Sequence, residues 1–283
     1  MLIRLKKNLP YIVMALSLIL ILCGSSSLIV HARRMNRDEH TYARLVSIKE
    51  EPVVVKSQQN TPETEDSSIP YSPGYDILPA CQKLYEINSD LTGWLTIPDT
   101  EINYPLMSRA DDETFYLYHD FYGDKSPSGC LILDEDSRVG KGDVNNGYHI
   151  DGKTENPSTN ILIHGHTMKN GTMFGGLTKY SDYDYAINHN TILFDSLYEE
   201  REYELISAFY TEILTTDSTD FKYYNFFDAE DESQFEYWYS NIKALSLYDT
   251  GVTASYGDEF ITLSCCSYHI EDGRFVVIGV RKK

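Results

Sequence analysis

Beyond residue 94 the chain alternates between short apolar runs and polar segments. The runs are rich in Ile, Val, Tyr and Phe, and Gly, Asn and Asp separate them. Apolar runs of this length between turn-forming residues are typical of β-strands. The pattern predicts eight strands, at 93–97, 100–107, 130–133, 159–163, 191–195, 201–211, 259–265 and 274–281. Many short strands separated by turns favour a β-barrel or a β-sandwich.

Two segments show helical rather than strand spacing. In 75–87 and 233–247 the apolar residues recur every three or four positions, which places them on one face of a helix. These faces consist of Ile77, Leu78, Cys81, Leu84, Tyr85 and Ile87 in the first segment, and of Phe235, Trp238, Tyr239, Ile242 and Leu245 in the second. Three acidic residues at 230–232 precede the second segment and suit the positive end of its dipole.

The N-terminal part of the chain has a different pattern. Residues 11–32 contain no Asp, Glu, Lys or Arg and are rich in Leu, Ile and Val. This is about the length that a helix needs to cross a bilayer core, roughly 20 residues. Small residues at 24–27 leave a cleaved signal peptide as the alternative, but the apolar run continues to residue 30, which favours an uncleaved transmembrane anchor. Basic residues flank the segment on both sides, so charge does not fix its orientation.

The remaining residues divide into a stalk and one folded domain. Residues 33–73 are polar and charged, and their central stretch lacks large apolar residues, so we predict a flexible stalk. Residues 74–283 contain the predicted strands and helices and are enough for one substantial core.

Charge and cysteine content exclude several classes of function. The chain has a net charge of −19, and beyond residue 37 it carries 43 acidic and 18 basic side chains. Such an acidic body argues against binding to nucleic acid phosphates or to an anionic membrane surface. There is no Cys-x-x-Cys pair, so a zinc site is not predicted. The acidic residues at 134–136 and Asp143 lack the spacing of an EF-hand, so we interpret them as a solvated acidic loop and predict no metal.

The clearest candidate chemistry lies near the C-terminus. An apolar run ends in two adjacent thiols, Cys265 and Cys266, and a polar loop at 267–273 separates it from a second run that begins with Arg274. Two such runs form a hairpin, so a thiol and the guanidinium should face each other across adjacent strands. A cationic neighbour favours the nucleophilic thiolate and can stabilise an oxyanion. The hairpin therefore predicts half of a cysteine acyl-transfer site.

A histidine should supply the other half by exchanging protons with the leaving group. His166 follows the apolar strand 161–163, and Gly165 allows a sharp exit from that strand. Loops that leave a rigid strand often carry catalytic side chains. A surface-loop histidine without a function is the alternative interpretation, and His164 is a second candidate because it lies two residues away on the same strand face.

These motifs resemble those of a known family. Thr262 to Cys266 is similar to the sortase signature Thr-Leu-x-Thr-Cys, and Arg274 follows at the usual short distance. Gly165-His166 is similar to the Gly-His of the same family. The segments 168–177, 84–88, 91–95 and 102–105 are similar to parts of class B sortases. The resemblance covers roughly 75–283, and its motifs occur in the expected order.

The resemblance implies a role for each candidate residue. It makes Cys266 the nucleophile, His166 the proton donor and acceptor, and Arg274 the stabiliser of the oxyanion and substrate. Cys265 occupies the position where the family usually has Thr. Strand alternation agrees with this assignment, because Cys266 shares a face with the polar Ser264 whereas Cys265 shares a face with Leu263. We further predict substrate contacts for Thr262, Ser264 and His164.

The resemblance also implies a fold and a location. A class B sortase is a closed eight-stranded β-barrel with an N-terminal helix and a helix before the penultimate strand. Here a transmembrane helix at 11–32 would precede it. Because sortases act outside the cytoplasmic membrane, residues 1–10 would stay in the cytoplasm and the catalytic domain would be extracellular.

The implied reaction is a transpeptidation that needs no cofactor. The substrate would be a secreted protein with a C-terminal sorting motif similar to Asn-Pro-x-Thr. An acyl-thioester would form on the enzyme and then pass to an amine of a cell-wall precursor or to a pilin lysine. Two alternatives stay open: a thiol hydrolase, and a catalytically silent, membrane-tethered binding domain. A bridge between the adjacent thiols Cys265 and Cys266 would be strained and would inactivate the nucleophile.

Overall fold

A computed structural model of the chain describes residues 2–51, 77–140 and 156–283. These residues include four α-helices, eight strands and three short 3-10 helices. The helices are α1 (Leu2–Glu50), α2 (Pro79–Ile87), α3 (Tyr183–Asn188) and α4 (Glu232–Leu245). The strands are β1 (Leu91–Thr96), β2 (Asn103–Met107), β3 (Leu131–Leu133), β4 (Asn160–Gly165), β5 (Thr191–Ser196), β6 (Glu200–Glu212), β7 (Phe260–Cys266) and β8 (Gly273–Arg281).

The eight strands close into a barrel, which confirms the fold implied by the family resemblance and decides between the barrel and the sandwich that the apolar runs left open. Their order is β1-β2-β3-β4-β7-β8-β6-β5, and β5 pairs with β1 to complete the barrel. Most neighbours are antiparallel, but β2 pairs with β3 and β4 pairs with β7 in parallel. The predicted helix at 233–247 is present as α4 and precedes the penultimate strand.

Alternate residues of β4, β7 and β8 belong to two separate apolar cores. Ile163, Leu263 and Val277 pack inside the barrel together with Cys265. Their neighbours on the same strands, such as Leu162, Phe260 and Val276, pack instead with α4 in the second core. Because successive side chains of a strand point to opposite faces, the even-numbered residues of these three strands lie on the outer face of the barrel. This face carries the candidate site.

The structure differs from the predicted stalk over 33–50, which continues α1 as a helix. Tyr42 and Leu45 of this segment are buried and belong to the same apolar cluster as the barrel interior, and Lys49 forms an ion pair of 2.9 Å with Asp195. The segment is polar overall, but Asp38, Tyr42 and Leu45 recur at helical spacing and form one contact face. The rest of the predicted stalk, 52–73, lies outside the described residues.

The predicted anchor at 11–32 lies within α1. Among the residues that the structure describes, no helix has the combination of length and apolar content that a membrane crossing requires. The transmembrane prediction therefore gains no support from the structure.

Candidate active site

The hairpin of β7 and β8 brings the predicted nucleophile beside the predicted guanidinium. Cys266 is the register partner of Arg274 across the two antiparallel strands. The next pair is hydrogen-bonded, since Ser267 donates its N–H to the carbonyl of Gly273 at 2.8 Å. Cys266 and Arg274 are therefore a non-hydrogen-bonded pair, in which Cα atoms are only about 4.5 Å apart and side chains approach most closely. The predicted juxtaposition across the hairpin is confirmed.

The two adjacent thiols occupy different environments. Cys265 lies inside the barrel and is 2% exposed, and burial raises the pKa of its thiol to about 11. Cys266 is half-buried on the other face of β7 and lines a cavity. Alternation along the strand thus separates two residues of identical chemistry.

His166 follows β4, the strand that lies on the other side of β7. β4 and β7 are parallel, and Gly165 is the register partner of Cys265. A side chain at Gly165 would not fit, because a Cβ would come within 2.6 Å of the side chains of Leu131 and Phe174. The glycine therefore lets the chain stay close to the barrel where it turns out of the strand. Thr167, the residue after His166, donates its hydroxyl to the carbonyl of Cys266.

One nitrogen of the His166 ring already has a partner. Its Nε2 lies 2.8 Å from the carbonyl oxygen of Leu117. A carbonyl oxygen only accepts hydrogen bonds, so Nε2 carries the proton in this contact. In the neutral ring Nδ1 then keeps the lone pair, which makes it the nitrogen that can accept a proton.

A cavity of about 270 Å³ joins these groups on the outer face of the barrel. Its walls come from β3, β4, β7, β8 and the 113–117 segment. The residues that line it are Glu113, Thr114, Leu117, Ile132, Leu133, Asp134, His164, Gly165, His166, Ser264, Cys265, Cys266 and Arg274. Cys266, His166 and Arg274 thus all line one space, and Nη1 of Arg274 donates hydrogen bonds to the backbone carbonyls of Asp272 and Gly273, at 3.2 Å and 3.0 Å.

The three residues predicted to contact the substrate lie in different environments. Thr262 is fully buried and does not line the cavity, since its hydroxyl donates to Asn160 Oδ1 at 2.7 Å on the covered part of the outer face. Ser264 lines the cavity, although its hydroxyl is buried and lies 2.7 Å from the hydroxyl of Tyr223. His164 lines the cavity and is half-buried. The structure thus leaves Thr262 without access to a substrate.

Part of the predicted acidic loop belongs to the cavity. Asp134 lines it, and its Oδ2 lies 2.9 Å from Nε2 of His164. Glu113 is a second carboxyl group at the rim, and burial together with the neighbouring Glu135 raises its pKa. Glu135 and Asp136 are exposed, as the solvated-loop interpretation predicts, whereas Asp143 lies outside the described residues.

Sequence reasoning did not identify Leu117, Thr167 or Glu113. Leu117 contributes a backbone carbonyl, for which no side-chain motif exists. Thr167 directly follows His166, so its place beside the site could have been inferred from the parallel pairing of β4 with β7. Glu113 is distant in sequence from Cys266, His166 and Arg274, and no motif marked it.

Similarity to known proteins identifies the family of this chain. No protein-family model matches the chain. The Sortase B of Listeria monocytogenes is 33% identical over 198 residues, which cover 69% of this chain and 71% of that protein. The chain belongs to the sortase B family. The predicted resemblance to class B sortases is thereby confirmed, and this sortase is a cysteine transpeptidase.

Solved structures agree with this membership. The crystal structure of sortase B from Bacillus anthracis in complex with AAEK1 superposes with a TM-score of 0.64 at 27% identity, and the match covers 89% of this chain and 99% of that one. A sortase B complexed with triglycine gives a TM-score of 0.58 at 25% identity, over 72% of this sortase and 86% of that chain. The similarity therefore extends through the barrel that carries the cavity.

Proposed function

We propose that this sortase cleaves a C-terminal sorting motif similar to Asn-Pro-x-Thr and transfers the protein to an amine. The proposal gives Cys266 the role of nucleophile, His166 the role of acid and base, and Arg274 the role of oxyanion stabiliser. The observation that supports it is that these three residues line one cavity.

The first half-reaction forms a thioester. Nδ1 of His166 takes the proton of the Cys266 thiol, and the sulfur attacks the carbonyl carbon of the threonine in the motif. The guanidinium of Arg274 stabilises the negative charge that develops on the carbonyl oxygen. The peptide bond after the threonine then breaks, and His166 returns the proton to the departing amine.

The second half-reaction consumes the thioester. An amine attacks the same carbonyl carbon and loses a proton to His166, the sulfur leaves, and the proton returns to it. A related sortase B has been crystallised with triglycine, a peptide whose N-terminus is an amine. In this chain the carboxyl groups of Glu113 and Asp134 line the cavity and would attract an ammonium group. A cell-wall precursor and a pilin lysine are the two proposed sources of the amine.

The proposed location is the outer face of the cytoplasmic membrane, with residues 1–10 inside the cell. The support is the apolar run at 11–32 in the sequence. Fractionation of cells that express the full chain tests it: the protein should remain with membranes after an alkaline carbonate wash, and external protease should cut the catalytic domain in intact protoplasts. Release by carbonate would contradict the anchor.

Product analysis tests the reaction. The full chain is incubated with an Asn-Pro-x-Thr peptide and, as a matched control, the same peptide with the threonine replaced by valine. Triglycine or Nα-acetyl-lysine is added as the amine, and mass spectrometry identifies the products. A ligated product that Cys266→Ala abolishes is expected. Hydrolysis alone at saturating amine would indicate a thiol hydrolase, and peptide binding without cleavage would indicate a silent binding domain.

A further inference from the structure

A buried carboxylate of α1 contacts a turn of the barrel domain. Asp38 is 1% exposed, and its Oδ2 accepts a hydrogen bond of 2.6 Å from the hydroxyl of Ser126. The same hydroxyl accepts hydrogen bonds from the N–H groups of Ser128 and Gly129, at 3.1 Å and 3.0 Å. Tyr42, one helical turn after Asp38, donates its hydroxyl to the carbonyl of Gly129. α1 therefore holds both ends of this turn.

Hydrogen bonds from the 126–130 turn fix the peptide group whose carbonyl contacts the His166 imidazole. Ser126 donates its N–H to the carbonyl of Tyr118 at 3.0 Å, and Cys130 donates its N–H to the carbonyl of Tyr116 at 2.7 Å. These two hydrogen bonds lie on either side of Leu117. The orientation of the Leu117 carbonyl, which accepts from the imidazole Nε2, is consequently set by the turn.

The turn also packs directly against the Leu117 carbonyl, which couples their positions. Gly129 has a φ of +56°, and a Cβ on it would come within 2.3 Å of the Leu117 carbonyl oxygen. The backbone of the turn thus lies directly against the carbonyl. Because there is no free space between them, a displacement of the turn displaces the hydrogen-bond acceptor of the imidazole as well.

A second connection leads from α1 to the backbone of the histidine. The ring of Tyr42 packs edge-on against Tyr104, with 5.2 Å between the ring centroids. The Tyr104 hydroxyl accepts a hydrogen bond of 3.1 Å from the N–H of Met173. The next residue, Phe174, donates its N–H to the carbonyl of His166 at 3.0 Å. The same helix therefore supports both the ring and the main chain of His166.

We propose that Asp38 is a positioning residue for His166. It acts through Ser126 and the Leu117 carbonyl, which together keep the neutral imidazole protonated on Nε2 and leave Nδ1 to exchange protons. Without the carboxylate, the Ser126 hydroxyl loses its buried acceptor and the turn relaxes. The inference depends on the proposed role of His166 in the transfer reaction.

The test uses the full chain, labelled with ¹⁵N-histidine, in the wild type and in Asp38→Ala. NMR reports which nitrogen of the His166 ring carries the proton, and steady-state assays report kcat and KM. In Asp38→Ala the Nε2-protonated share should fall. The value of kcat should fall about 10- to 100-fold, as expected for a reacting group displaced by about 1 Å, while KM changes less than about twofold.

Three further variants separate positioning from a general loosening of α1. Asp38→Asn keeps an oxygen acceptor for Ser126 and should retain most of kcat. Lys49→Ala removes another contact of α1 with the barrel, the 2.9 Å ion pair with Asp195, and should keep the wild-type tautomer and rate. Ser126→Ala breaks the same link but also removes the acceptor of the Ser128 and Gly129 N–H groups, so it should lose at least as much as Asp38→Ala, and the double variant should lose less than the sum of the two.

A wild-type tautomer and kcat in Asp38→Ala would overturn the inference, as would an equal loss in Lys49→Ala. Should Asp38→Ala not fold, the tautomer and rate of Asp38→Leu, which fills the space but offers Ser126 no acceptor, decide in its place. The tautomer is measured without substrate. A wild-type chain that is inactive on every peptide would therefore refute the proposed substrates, while a shifted tautomer would still support the positioning role.

Discussion

The fold places the two adjacent thiols, Cys265 and Cys266, on opposite faces of β7, so they should differ sharply in reactivity. Cys265 has a pKa of about 11, so at pH 7.5 only about 0.03% of it is thiolate. An unperturbed thiol with a pKa of 8.5 has about 300 times more thiolate at this pH. Since Cys265 is also 2% exposed, we expect it to be inert toward both peptides and alkylating reagents.

Substitution should separate the two thiols cleanly. Cys266→Ala removes the proposed nucleophile and should lower kcat on the order of 10⁴- to 10⁶-fold. Cys265→Ala leaves a small cavity in the barrel, so it should lower the free energy of unfolding by about 1–2 kcal/mol while the acyl-enzyme still forms.

The assay combines adduct mapping with unfolding. Full-length variants react briefly with the motif peptide or with chloroacetamide, and peptide mass mapping assigns each adduct to one cysteine. Thermal melts followed by circular dichroism report the stability of each variant. The mapping is necessary because Cys23 is also exposed and free. An acyl adduct on Cys265, or its loss in a well-folded Cys265→Ala protein, would refute the assignment.

Three other predictions test separate parts of the structure. Arg274→Ala should lower kcat/KM about 10²- to 10³-fold by removing an oxyanion donor, and Arg274→Lys should recover only part of this because it lacks the guanidinium fork. Gly129→Ala should lower the melting temperature and kcat together, since its Cβ would meet the Leu117 carbonyl oxygen at 2.3 Å. Gly123→Ala is the matched control, because it also has a positive φ but no atom within 4 Å. Burial alone would raise the pKa of Glu199, but two arginine partners lower it to about 2, below the 4.5 of an unperturbed glutamate. Its contribution to stability is thus complete above about pH 4.5 and is lost as the pH falls toward 2. In urea unfolding, Glu199→Gln should therefore be less stable than wild type at about pH 7, and the difference should shrink at about pH 3. A rate unchanged in Arg274→Ala, equal losses in the two glycine variants, or a constant difference for Glu199→Gln would each contradict the corresponding prediction.

Much of the barrel could be predicted because its determinants are local in sequence. The strands follow from apolar runs between turn residues, which indicate a barrel or a sandwich, and the family resemblance then implied the closed barrel. The hairpin at 260–281 could be predicted for the same reason. A short loop joins its two strands, so Cys266 and Arg274 must lie close together. The family motifs then identified which histidine to join to them.

The parts that could not be predicted depend on distant contacts. Residues 33–50 of α1 are mostly polar. Their helix is stabilised where Tyr42 and Leu45 pack against the barrel domain. The contact of Leu117 with His166 is made by a backbone carbonyl, and no residue type in a sequence indicates a backbone contact. Thr262 lies on the same face of β7 as Cys266. This outer face is buried at Thr262 but lines the cavity at Cys266. Alternation alone could not show where the buried part of this face ends.

The register of β7 also explains why the second thiol should not rescue the first. For the Cys265 sulfur to take the place of the Cys266 sulfur beside Arg274, the strand would have to slip by one residue, and a slip of one residue turns every side chain to the opposite face. Ile261 and Leu263 would leave the barrel interior, at a cost of about 1.5–3 kcal/mol each. Polar groups such as the Thr262 hydroxyl would enter it without partners, which adds about 1–3 kcal/mol each. The sum approaches the whole stability of a typical domain, so Cys266→Ala should show no slow residual acylation, even in prolonged incubations at raised pH.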